Sequence, residues 1–134
     1  MIESQRIEFS TSDGSSLGFD LLSVSSHETI FLVRLRTPWL SANSETTTYV
    51  NGPPSTLFSE IAVNWSGWEG EKSWSDLEDR VNFVATSDST GHVTLLIRII
   101  GPNYEDRVEA RLTYEAGSLE SMAKRVSALF EGAT

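Results

Sequence analysis

Three of the chain's four tryptophans fall in the stretch W-S-G-W-E-G-E-K-S-W, Trp65 to Trp74. Indole faces so close together can stack on a sugar or hold a cation, and Glu69 and Glu71 between them could accept hydrogen bonds. The same rings could instead pin an irregular segment to the core, each burial contributing about 2–3 kcal/mol. Trp65 falls on the apolar stripe of a helix and is assigned to the core. A carbohydrate or cation site would therefore use Trp68, Trp74 and Glu71, with His92 as a further candidate.

His27 and His92 are the chain's two histidines, and each lies in or beside a turn. Asp88, four residues before His92, could orient it as a general base or simply bond to it across the turn. No further ligands accompany the histidines at a metal-binding spacing, and cysteine is absent. Neither a G-x-S-x-G elbow, a phosphate loop nor G-x-G-x-x-G occurs. No catalytic residue, metal site or cofactor is assigned, and the expectation is a non-enzymatic protein.

The elements that must position these residues come in two similar runs. Set Gly18–Trp39 over Asn82–Asn103. Phe19 falls on Phe83, Leu32 on Leu96, Arg34 on Arg98 and Pro38 on Pro102. One inserted residue later, Tyr49 falls on Tyr114 and Trp65 on Phe130. The order of periodicities matches too, alternation giving way to helical spacing. In the second run Val93, Leu95, Ile97 and Ile99 alternate with His92, Thr94, Leu96 and Arg98. Leu119, Met122, Ala123, Val126 and Phe130 then share one helical face, with Ser118 as the expected N-cap. In the first run Leu57, Phe58, Ile61 and Trp65 form the stripe, and Ser75 with Glu78 suggests a short helical turn further on.

The fold class is α+β: a mostly antiparallel sheet of six or seven strands from two βββα repeats, with two helices on one face. Residues 1–134 form one domain, with repeats near 17–66 and 81–131 and a connector at 67–80. The uncovered face would carry Leu22, Leu32, Val84, Leu96 and Ile100 together with Arg34, Arg36, Arg98, Arg111, Asp20 and Glu109. Apolar groups mixed with arginine suit an interface. Equally, arginine stems could cover the apolar positions while their heads pair with Asp20 and Glu109.

W-S-G-W-E-G-E-K-S-W-S-D-L-E, then A-T-S-D-S-T-G-H-V (Ala85 to Val93), then L-T-Y-E-A-G-S-L (Leu112 to Leu119) resembles a family of small bacterial proteins of unknown function. There W-x-G-W-x-G-E leads to a D-x-x-G-H-V turn and an E-x-G-x-L helix start. The resemblance covers residues 30–130 and implies a bacterial origin, but no activity.

The net charge of −9, from 19 acidic and 10 basic residues, argues against nucleic acid and anionic membrane as partners. It favours a basic protein. The reading is an acidic, immunity-like or inhibitor-like binding protein that meets a protein partner, or a second copy of itself in a homodimer. No segment has the ~20 apolar residues of a membrane span, and the start lacks a signal-peptide pattern, so a cytoplasmic location is expected.

Overall fold

Alternating side chains decide which way each strand faces. In the computed structural model, which describes residues 5–131, Phe31, Val33 and Leu35 point inward from the strand Thr29–Arg36 while Leu32 and Arg34 point out. Val93, Leu95, Ile97 and Ile99 do the same in His92–Ile100. The chain runs β1 (Arg6–Ser10), β2 (Ser16–Val24), β3 (Thr29–Arg36), β4 (Ser41–Thr47), α1 (Ser55–Val63), β5 (Lys72–Ser75), β6 (Val81–Ser87), β7 (His92–Ile100), β8 (Arg107–Glu115) and α2 (Leu119–Glu131). The fold is α+β and every strand pairing is antiparallel.

The eight strands form two sheets, β1-β2-β3-β4 and β5-β6-β7-β8, rather than one sheet of six or seven. Each unit is therefore ββββα. β1 precedes the first repeat as drawn from the sequence, and β5 falls inside the 67–80 connector. Lys72–Ser75 pairs with β6, Trp74 opposite Phe83, and the helical turn expected after Ser75 is the tight turn between β5 and β6, closed by the Asp79 amide on the Asp76 carbonyl.

The apolar faces of both sheets share one core. The Phe19 ring of β2 lies 5.9 Å from Phe31 in its own sheet and 5.9 Å from Phe83 in the other. It also lies 6.2 Å from Phe58 of α1 and 6.1 Å from Phe130 of α2. Both helices thus lie on the inner faces, and they pack against each other. α1 buries Leu57, Phe58 and Ile61, but ends at Val63 before reaching Trp65. Asn64 closes it through both its amide and its side chain onto the Glu60 carbonyl, and the Gly67 amide bonds back to Asn64. Trp65 is consequently 62% exposed, not core. Ser118 does not cap α2 as expected. Its hydroxyl donates to the Glu115 carbonyl across the 3-10 turn Ala116–Ser118.

Side chains tie the sheets together at two edges. Thr46 of β4 donates to Asp76 beyond β5 at 2.5 Å, and the Tyr114 hydroxyl of β8 donates to the Phe9 carbonyl of β1 at 3.0 Å. Burial, aided by Asp13, pushes the Tyr114 hydroxyl above its ordinary range, so it stays a donor. Among the described residues no helix is long and apolar enough to cross a membrane.

Phe19→Ala should destabilise the protein by about 4 kcal/mol, because it opens a cavity where four elements meet. Trp65→Ala should change stability by less than about 0.5 kcal/mol. Urea unfolding of both variants checks this, and equal effects would contradict the burial described.

Candidate functional site

Three loops meet at one end of the molecule: residues 48–54 before α1, the β5–β6 turn at 76–80, and the β7–β8 hairpin at 101–106. Side chains bind them into one surface. The Tyr104 hydroxyl donates to the Glu78 carbonyl at 2.9 Å, and the Asn51 amide donates to the Ser75 carbonyl at 3.0 Å. The Trp74 indole donates to the Gly52 carbonyl at 3.1 Å. Beneath them the buried carboxylate of Asp76 accepts the amides of Arg80 (2.8 Å) and Val81 (3.2 Å), besides the Thr46 hydroxyl.

This frame holds four large side chains in solvent: Tyr49, Val50, Leu77 and Tyr104. Glu78, Asp79, Glu105 and Asp106 stand exposed among them. The only non-glycine residues with left-handed φ among those described fall in the same loops: Val50 (+69°), Asp79 (+60°) and Tyr104 (+62°). Val50 is the centre of a γ-turn closed by the Asn51 amide on the Tyr49 carbonyl at 2.8 Å. That positive-φ form is rare and strained, and a β-branched residue makes it costlier.

The residues singled out from sequence do not gather here. Trp74 is buried against Phe83, with ring centroids 5.4 Å apart, so it offers no ligand face. Trp68 is partly buried and already holds a cation: the Lys72 ammonium sits 5.4 Å from its ring and 3.5 Å from Glu60. Glu71 is exposed beside it. Of the two indoles outlined for a sugar or cation site, Trp74 is therefore buried and Trp68 has a lysine of the chain over its ring.

His92 opens β7 beside the β6–β7 turn, its Nδ1 2.9 Å from the Thr90 hydroxyl and 3.5 Å from Asp88. Asp88 accepts the amides of Thr90 and His92. Those amides, His92 first, hold its carboxyl below the ordinary range. The cluster closes a turn.

Arg34 and Arg98 both point outward, but from different sheets, so the single uncovered face expected from the sequence is split in two. Arg34 lies flat over Gly18, where an added Cβ would stand 2.4 Å from Nη2. From there it reaches Asp20 at 2.9 Å and Glu8 at 3.2 Å. Arg98 turns the other way and donates to Glu109 at 2.8 Å. Arg36 and Arg111 are exposed. Of the two readings of these arginines, internal pairing describes Arg34 and Arg98.

The model of DUF6228, a family of unknown function, matches residues 10–133. The chain belongs to this family. The match takes in β2 to β8, both helices and all three loops. No curated protein and no solved structure matches the chain.

Sequence reading missed the three-loop end. Its turn signals were legible in N-G-P-P-S and G-P-N-Y-E-D, yet Tyr49 was aligned with Tyr114 as a strand residue. β4 stops at Thr47 while β8 runs to Glu115, so one tyrosine is exposed in a loop and the other buried. The available signal was an aromatic residue inside an acidic turn.

Two outcomes follow. Val50→Gly should stabilise the protein by about 1 kcal/mol by relieving left-handed strain, and a loss of stability in urea unfolding would contradict the strain. Glu109 should titrate below the ordinary glutamate range, first because Arg98 bonds to it. A depressed folded-state value favours folding above the unfolded pKa, and that contribution fades as pH falls through the folded value. Carbon-13 NMR titration should show Glu109 moving back up in Arg98→Met, and an unmoved value would remove the pair.

Proposed function

We propose that the protein is a non-catalytic binding protein that seats a basic protein partner on the end formed by loops 48–54, 76–80 and 101–106. The observation that carries this is the cross-tied presentation of Tyr49, Val50, Leu77 and Tyr104 among four exposed carboxylates. Tyrosine supplies large contact area at low entropic cost, and such anchors often contribute about 2 kcal/mol or more each. A loop surface already fixed by Asp76 and by the Tyr104–Glu78 bond loses little freedom on docking. The surrounding negative charge would accelerate encounter with a cationic surface and exclude acidic ones.

Charge favours an inhibitor-like or immunity-like form of this reading, in which carboxylates meet a basic enzyme or toxin. The family resemblance supports a bacterial setting. The second reading, a small-ligand module built on Trp68, Trp74 and Glu71, loses support from the burial of Trp74 and from Lys72 on Trp68.

Selection of phage-displayed peptides on the immobilised full chain tests the proposal. Sequences placing lysine or arginine beside an apolar residue should be enriched. Affinity of the best peptide should fall about tenfold or more on Tyr104→Ala, and again on paired Glu105→Lys and Asp106→Lys. Melting temperatures of both variants should stay within about 4 °C of the native protein. Enrichment without basic residues, or binding that survives these substitutions, would overturn it.

A further inference from the structure

α1 carries unlike surroundings at its two ends. The three-loop surface feeds its N-terminus; about 13 Å of helix away, its C-terminus borders an open groove. Ala62, Val63 and Trp65 line one side, and Ala116, Gly117 and Glu120 the other, around about 600 Å³. That volume lies in the range of small-molecule sites. Val63 is 79% and Trp65 62% exposed, so the groove presents an aliphatic side chain and an indole to solvent.

Two features favour a cation in this groove. The Glu120 carboxylate stands on its rim. The face of an indole attracts cations. No lysine or arginine lines the groove. Lys124 approaches Glu120 only at 4.0 Å, in an exposed pair that contributes little and leaves the carboxylate available. A sugar would require several hydrogen-bonding groups, whereas this lining offers one charged side chain among apolar and small residues. An anion would meet repulsion from Glu120 and from the indole face.

We infer that the groove binds a small organic cation, an ammonium group carried on a compact apolar body, with Trp65 against the cation and Glu120 as its counter-charge. This site shares no residue with the three-loop end, so Tyr104→Ala should leave it intact.

The test titrates the full chain with choline and, separately, with 3,3-dimethylbutan-1-ol, its neutral isostere. The readout is the Trp65 indole N–H resonance, identified by its loss in Trp65→Phe. Choline should shift that resonance saturably, and the neutral compound should bind at least about fivefold more weakly. Glu120→Gln should weaken choline binding. Gly117→Leu should abolish it by filling the groove. A Cβ at Gly117 meets nothing within 4 Å, so the fold accommodates the change. The absence of a saturable shift, equal responses to both compounds, or undiminished binding in Glu120→Gln or Gly117→Leu would each overturn the assignment. So would a response to a lysine-containing peptide with none to choline, since the occupant would then be a protein side chain.

Discussion

Everything in this fold is arranged around the ring of Phe19. It touches an aromatic residue from its own sheet, one from the other sheet and one from each helix. Edge-to-face packing needs centroid distances near those observed, so the ring sets how far apart the four elements can stand. A close-packed interior transmits that spacing without slack. The strand ends, and therefore the loops that leave them, inherit fixed relative positions. The three loops meet because β4, β5 and β7 end where the aromatic core places them, and Asp76 then ties the seam.

The outer faces follow a different rule. Arg34 and Arg98 sit at matching places in the two sheets but find opposite neighbours, Asp20 and Glu8 for one and Glu109 for the other. Gly18 makes the first arrangement possible by leaving the sheet surface flat under the guanidinium. Lys72 follows the same economy, lying over Trp68 with Glu60 within reach. These cations are committed internally. The carboxylates in excess therefore remain on loops, and the protein's negative charge is concentrated where chain direction changes.

Much of the architecture was legible because strand alternation is local. Phe31, Val33 and Leu35 declare an inner face within one strand, and Val93 to Ile99 do the same. The full strand count was not, since β5 is too short to display a period and exists only through its partner β6. Nor was the division into two sheets, because which strand becomes an edge is settled by packing. Trp65 illustrates the limit of helical spacing: the period predicts burial only while the helix continues, and Asn64 stops it one residue earlier. The loop surface was hidden for another reason. N-G-P-P-S and G-P-N-Y-E-D mark the turns, but nothing in a valine or a tyrosine announces a left-handed conformation, so the side chains these turns present were not legible.

Gly14, Gly67, Gly70 and Gly91 take positive φ where only the path of the chain matters. Glycine adopts such angles without steric penalty. At Val50 and Tyr104 the same kind of backbone is imposed on residues that resist it, at about 1–3 kcal/mol each, while the aspartate at Asp79 tolerates it better. Folding alone would be better served by glycine at all three positions. The strained residues present side chains that glycine lacks, all at one end, tied by bonds that keep the loops from relaxing. A protein with a core centred on Phe19 can sustain that cost, and the side chains it retains are an aliphatic group, a carboxylate and a phenol. Those are the groups a cationic protein surface would meet.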